Sequence, residues 1–181
     1  MQVLVVAATT FELEGLDGDT LLCGIGPVEA AATTARALAE RRPDAVLQIG
    51  IAGARGIEPP AIVLGSEAVY CDIAGDLAAQ LPRIHRVAAD ASLLAAAQAA
   101  LPDALVRPIG TTARVGRGHG FDVEAMEGFA VLRATELAGV PALELRAISN
   151  DADEHDRSLW RSDEAFAALQ DAVPRVLAAF G

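Results

Sequence analysis

The chain has 181 residues, 52% of them apolar, and a formal net charge of -11. That length buries a substantial core within one domain, residues 1–181. The acidic balance excludes nucleic acid and anionic membranes as partners, because both are held through basic patches. The ligand class that remains is a small molecule. If it is anionic, a local arginine among Arg55, Arg114, Arg117, Arg157 and Arg161 must meet it.

In chain order, residues 2–8 are an apolar, β-branched run that predicts a central strand buried on both faces. The segment lacks the basic flank and cleavage signal of a secretory leader, and no apolar run reaches the ~18 residues of a membrane span, so a cytoplasmic protein is expected. Glu12 and Glu14 follow at the C-terminal edge of that strand. Glu14 reads as a solvated loop charge. Residues 20–25 predict a second strand, Gly26-Pro27 a turn, and residues 27–42 an alanine-rich helix with proline at a first helical position. Residues 44–49 return as a strand, and Gly50-Ile51-Ala52-Gly53-Ala54 lets backbone approach a ligand closely, which marks Ile51, Ala52 and Gly53 as candidate binding residues.

Strand signals continue over 63–71 and 105–109, with a helix over 91–101 between them. Glycine and arginine dominate 111–120, a loop by composition. Apolar residues at 123, 126, 130, 134 and 137, followed by Gly139 and Pro141, predict a helix over 123–137. Residues 142–148 read as a buried strand on which Glu144 and Arg146 share one face as a structural pair. A helix over 163–180, interrupted near Pro174, closes the chain. The alternation of strands and helices predicts a three-layer αβα fold of the α/β class.

Acidic and amide side chains in apolar surroundings locate the candidate site. Glu124 and Glu127 stand in Val123-Glu124-Ala125-Met126-Glu127-Gly128, and Asn150 closes Arg146-Ala147-Ile148-Ser149-Asn150. A helix N-terminus then presents Met126 and Glu127 while the C-terminal edge of the next strand presents Ser149 and Asn150, where open α/β sheets bind ligands.

Other chemistries find little support. Gly24-Ile25-Gly26-Pro27 follows a strand and opens a helix, but Glu29 replaces the third glycine of a dinucleotide fingerprint and no acidic residue ends the next strand. His85, His119 and His155 show no zinc-ligand spacing. Cys23 and Cys71 lie in apolar, strand-like runs and read as reduced core residues. Ser66 and Ser149 lack a nucleophile-elbow context.

Taken together, residues 3–8 with Glu12, the Gly24-Ile25-Gly26-Pro27 turn, Gln48-Ile49-Gly50-Ile51-Ala52-Gly53, the Met126-Glu127-Gly128 motif and residues 146–150 resemble the purine nucleoside phosphorylase and nucleosidase superfamily, in order and over nearly the whole chain. Within it the sequence most resembles the futalosine hydrolases, and after them the methylthioadenosine and adenosylhomocysteine nucleosidases. The resemblance implies a central mixed sheet, no metal or organic cofactor, a homo-oligomer of two or more copies, and cleavage of an N-ribosidic bond through an oxocarbenium-like transition state.

Carried onto this sequence, the resemblance makes Glu127 the acceptor for the ribose hydroxyls, Met126 the apolar wall of the sugar site, and Glu12 the base that activates water. Asn150 stands where nucleosidases of 6-aminopurines place an aspartate. Its amide donates to N7 or O6, both acceptors in a 6-oxopurine, which points to hypoxanthine as the leaving base. Gln48 and Ile51 stand where related phosphorylases carry an arginine and a serine for phosphate, so water is the expected nucleophile. The implied function is futalosine hydrolysis in menaquinone biosynthesis. A methylthioadenosine or adenosylhomocysteine nucleosidase and a non-catalytic nucleoside-binding protein are the alternatives. The segment before the Met-Glu-Gly motif is short relative to the superfamily, leaving the base-stacking residue open between Phe121 and a neighbouring subunit.

Overall fold

The first apolar segment forms β1 (Val3–Ala7), and its alternation sets the architecture. Leu4 and Val6 pack toward one helical layer, Val5 and Ala7 toward the other. The computed structural model describes residues 1–73, 85–116 and 120–181. After β1 come α1 (Thr10–Leu13), β2 (Thr20–Leu22), α2 (Pro27–Arg41), β3 (Ala45–Ala54), β4 (Ile62–Tyr70), β5 (Arg86–Ala88), α3 (Ala91–Ala100) and β6 (Leu105–Thr111). Then follow β7 (Val123–Ala125), α4 (Gly128–Ala138), β8 (Ala142–Asp151), a 3-10 turn (Arg157–Leu159) and α5 (Ser162–Ala179).

The strands form one mixed sheet in the order β2-β1-β3-β7-β6-β4-β5, with β8 paired to both β3 and β4. β1, β2 and β8 run parallel to β3, whereas β7 is antiparallel to β3 and β4 is antiparallel to β8. The three-layer αβα expectation is met. Side chains of α3 and α5 pack with Val5, Leu47, Ile49, Leu143 and Leu145 on one face. Those of α2 and α4 pack with Leu4, Val6 and Val46 on the other.

A third cluster, including Ala52, Ala54, Val63, Ile109, Val123 and Ile148, fills the space enclosed where β3, β8, β4, β6 and β7 close into a ring. That ring corrects one prediction. The helix expected over 123–137 is divided: Val123–Ala125 is strand β7, and α4 begins at Gly128. A three-residue segment carries no decisive period, and pairing of Val123 with Ala54 and Ile109 decides the matter.

Two further differences have local causes. β3 runs on through the glycine segment to Ala54, because β8 and β7 supply partners for its backbone. α5 passes through Pro174 without a break. Pro174 and Gln170, four residues earlier, are both exposed, so water can take up the carbonyl that proline leaves without a donor. No described helix is long and apolar enough to cross a membrane.

Candidate active site

β1, β3 and β8 end on the same side of the sheet, and a cavity of about 210 Å³ opens there. Glu12, more than a hundred positions before Glu127 and Asn150 in the chain, lines it with them, together with Met126, Ile51, Ala52, Gly53 and Ser149. The eight residues assigned to the site from the sequence are therefore at this one cleft.

Glu12 is placed by a short helix whose cap the sequence spells. Thr9 is the N-cap of α1 and Glu12 its third residue, the Thr-x-x-Glu spacing of a capping box. Glu12 Oε2 accepts from the Thr9 backbone N–H (2.8 Å) and hydroxyl (2.9 Å), while Oε1 accepts from the Ile51 N–H at 3.2 Å. The carboxylate is thus tied to both β1 and β3 at one wall of the cleft. Gly50 makes this possible: a Cβ there would fall 2.8 Å from Glu12 Oε1 and closer still to Arg146 Nη1.

Glu127 is the N-cap of α4, yet its carboxylate caps a different helix. Oε1 accepts from the N–H of Gly26, the N-cap of α2, at 2.9 Å, so the charge lies where that helix presents its positive end. Oε2 faces Arg146 Nη2 at 3.5 Å. Burial raises its pKa above the ordinary glutamate value, opposed by Arg146 and the Gly26 N–H. The same buried charge acts on Cys23: burial first, then Glu127, push its thiol up to about 12. Cys23 is a buried free thiol, and Cys71 is free and partly buried.

A β-bulge aims the base-side amide. Ile148 pairs with Ala52, but Asn150 pairs with Gly53, so Ser149 is an extra residue in β8. In a regular strand Ser149 and Asn150 would face opposite sides. With the bulge both line the cleft. The Ser149 hydroxyl donates to Asn150 Oδ1 (2.7 Å), and Asn150 Nδ2 donates one hydrogen to the Asp151 carbonyl (2.8 Å). The second Nδ2 hydrogen is left for an acceptor in the cleft.

Further residues line the cleft. Glu124, on β7, accepts from the Gly116 N–H and faces Arg55 Nη1 at 3.5 Å, which ties the loop after β6 to the cleft wall. Phe11, Trp160 and Phe166 supply its aromatic surface, with Phe11 stacked on Phe166 at 6.1 Å. Phe121 is not among the lining residues; it packs where a Cβ on Gly110 would stand. Isolated aromatics in a turn and on a helix have no local pattern that announces a shared cleft.

The arginines separate cleanly. Arg55 is engaged by Asp153, Glu124 and the Phe121 carbonyl, and Arg161 by Glu164 and the Pro59 carbonyl. Arg114 is exposed and Arg117 lies outside the described residues. Among the described residues Arg157 is the arginine that lines the cleft, with its Cζ 5.4 Å from the Trp160 ring centroid. Among the described residues no group of three His, Cys, Asp or Glu side chains is placed to hold a metal ion.

A cleft with three carboxylates, an amide donor and aromatic walls, at the carboxyl ends of a mixed sheet, has the form of a site for an uncharged or sugar-linked heterocycle. Known proteins share the architecture. The family model of the phosphorylase superfamily matches residues 20–180. Futalosine hydrolase of Streptomyces coelicolor is 37% identical over 186 residues, covering 87% of this chain and 77% of that one. Futalosine hydrolase of Thermus thermophilus is 46% identical over 67 residues, 37% of this chain and 30% of that one.

Among solved structures, a methylthioadenosine/adenosylhomocysteine nucleosidase of Colwellia psychrerythraea in complex with adenine superposes with a TM-score of 0.88 at 22% identity, covering 99% of this chain and 95% of that one. A futalosine hydrolase mutant of Helicobacter pylori gives 0.87 at 17%, covering 97% and 98%. The chain belongs to the phosphorylase superfamily and, within it, to the family of the futalosine hydrolases.

Proposed function

We propose that the chain hydrolyses the N-ribosidic bond of futalosine and releases hypoxanthine. The observation that carries this reading is the convergence of Glu12, Glu127 and Asn150 on one cleft, together with the family membership.

In the proposed reaction Glu127 accepts hydrogen bonds from the ribose hydroxyls and sets negative charge beside the sugar as it gains cationic character. Met126 packs against the sugar, and the backbone of Ile51, Ala52 and Gly53 borders it. The electrons of the C1′–N9 bond pass to the purine, whose developing charge is met by the free Nδ2 hydrogen of Asn150 at N7 or O6, with Ser149 orienting that amide. Water, held by Glu12, bonds to C1′ and yields its proton to the carboxylate, and that proton passes through solvent to the departing purine anion. Phosphate is a poor nucleophile for this cleft, because its walls carry Glu12, Glu124 and Glu127 and the guanidinium beneath them is already engaged by carboxylates. Arg157, stacked on Trp160 at the mouth, is the group suited to the carboxylate on futalosine's sugar-side extension.

The same reading places the reaction in the futalosine route to menaquinone, in the cytoplasm. It also includes a homo-oligomer. Phe11 and Ile25 are each 64% exposed and Val28 79%, an apolar rim beside the cleft mouth that a second copy would cover.

Pure protein incubated with futalosine, inosine and methylthioadenosine, with and without phosphate, tests the proposal. Hypoxanthine release from futalosine that is independent of phosphate is expected. Preferential adenine release, or formation of a sugar phosphate, would replace it with an aminopurine nucleosidase or a phosphorylase. Nucleoside binding without base release would leave a binding protein.

A further inference from the structure

The face of the sheet turned toward α2 and α4 carries a polar row that the cleft does not use. Gln48 on β3 and Glu144 on β8 are register partners, and Arg146 follows two residues on. All three are at most 1% exposed, and neither Glu144 nor Arg146 lines the cleft. A buried ion pair kept only for stability has little advantage over apolar residues of similar volume, so its retention calls for another reason.

The contacts of the guanidinium supply one. Arg146 Nε–H donates to Glu144 Oε1 at 2.8 Å. On the other side Nη2 reaches Glu127 Oε2 at 3.5 Å and Nη1 the Ile51 carbonyl at 3.4 Å. Nη1 also shares with Glu12 Oε1 the space left by the missing Cβ of Gly50. One planar group therefore spans the supports of two cleft carboxylates, Glu12 and Glu127, and its shortest contact is to Glu144. Because the guanidinium is rigid, holding Nε fixes the direction of both Nη atoms.

Glu144 is itself confined. A Cβ on Gly128, the first residue of α4, would run into both of its Oε atoms, and a Cβ on Gly65 would meet its Cβ at 3.2 Å. Glu144 Oε2 and the Gln48 amide have no hydrogen-bond partner among the described residues, so no alternative contact competes for the orientation of the carboxylate.

We propose that Glu144 is a positioning residue: by holding Arg146 Nε it fixes the guanidinium that sets Glu127 against Glu12, while touching neither sugar nor water itself. This rests on the nucleosidase reading above. The charged and titratable groups gathered around Glu127 are Glu12 on α1, Arg146 and Glu144 on β8, and Cys23 after β2.

The test compares E144V, which removes the acceptor, with E144Q, which keeps it. With futalosine, E144V is expected to lower kcat by about ten- to a hundredfold while KM changes less than about threefold. Its acid limb of kcat/KM should move by about half a pH unit or more, because the Arg146 charge no longer faces Glu127 in a fixed direction. E144Q should stay within about threefold of wild type. If E144V does not fold, E144S, too short to reach Nε, takes its place. An unmoved acid limb in the variant lacking the acceptor, or equal loss in E144Q, would overturn the proposal. If the wild-type chain releases no base, the nucleosidase reading falls by itself. A carboxyl-carbon NMR titration of Glu127 in wild type and E144V then tests the coupling without turnover, an unchanged Glu127 titration refuting it.

Discussion

Substituting Glu127 by Gln removes a charge while keeping the shape of the side chain. The carboxylate is 4% exposed, held by the Gly26 N–H at 2.9 Å and by Arg146 at 3.5 Å, so it is already oriented before a ligand arrives. At a separation of about 5 Å and an effective dielectric of about 20, its attraction for a full positive charge on the sugar is roughly 3 kcal/mol. That corresponds to a loss in kcat of roughly 200- to 300-fold, reduced to the extent that the transition state carries only part of the charge. Hypoxanthine release followed in an oxidase-coupled absorbance assay measures it. Turnover within about fivefold of wild type would show that Glu127 does not face the developing cation.

The same substitution has a pH signature. Burial raises the Glu127 pKa, so the folded chain binds this proton more tightly than the unfolded chain. The resulting stability is present at low pH and is lost as pH rises from the ordinary glutamate value through the raised one. E127Q should therefore lose less Tm than wild type across that window. Because the ionised form is the active one, the acid limb of the wild-type rate profile should lie above the usual glutamate range.

Asn150→Asp installs a group able to protonate N7, and should raise the ratio of methylthioadenosine to futalosine turnover by about tenfold or more, read by competing the two substrates. Arg157→Ala should raise KM for futalosine about tenfold and leave inosine, which has no carboxylate, nearly unchanged; equal effects on both would remove Arg157 from the carboxylate site. With its thiol pushed up to about 12, Cys23 should resist a disulfide reagent at pH 8 in the folded chain and react once urea unfolds it.

Much of the fold was legible because its strongest signals are local and redundant. The runs that became β1 and β3 are rich in Val and Ile, β8 places Leu143, Leu145 and Ala147 on alternate positions, and α2 carries proline at its start and basic residues at its end. β7 was not legible: Val123, Glu124 and Ala125 are strand only because β3 and β6 lie on either side of them. The short helix holding Glu12 was within reach, since Thr9 and Glu12 spell its cap, but an acidic residue after a strand reads equally well as a loop.

For the site, the sequence by itself determined which chemical groups are available: two embedded carboxylates, an amide in place of an acid, and glutamine rather than arginine at position 48 in the third strand. Tertiary structure decided what they meet. The parallel alignment of β1, β3 and β8 brings Glu12 and Asn150 to one cleft, the antiparallel pairing of β7 with β3 brings Glu127 there, and only the extra residue at Ser149 turns Asn150 inward. It also converted Glu144 and Arg146 from a pair on one strand into a link between carboxylates on α1 and α4. Chemical identity travels with each residue, whereas distance between residues far apart in sequence is created by strand register and helix packing, which no local pattern encodes.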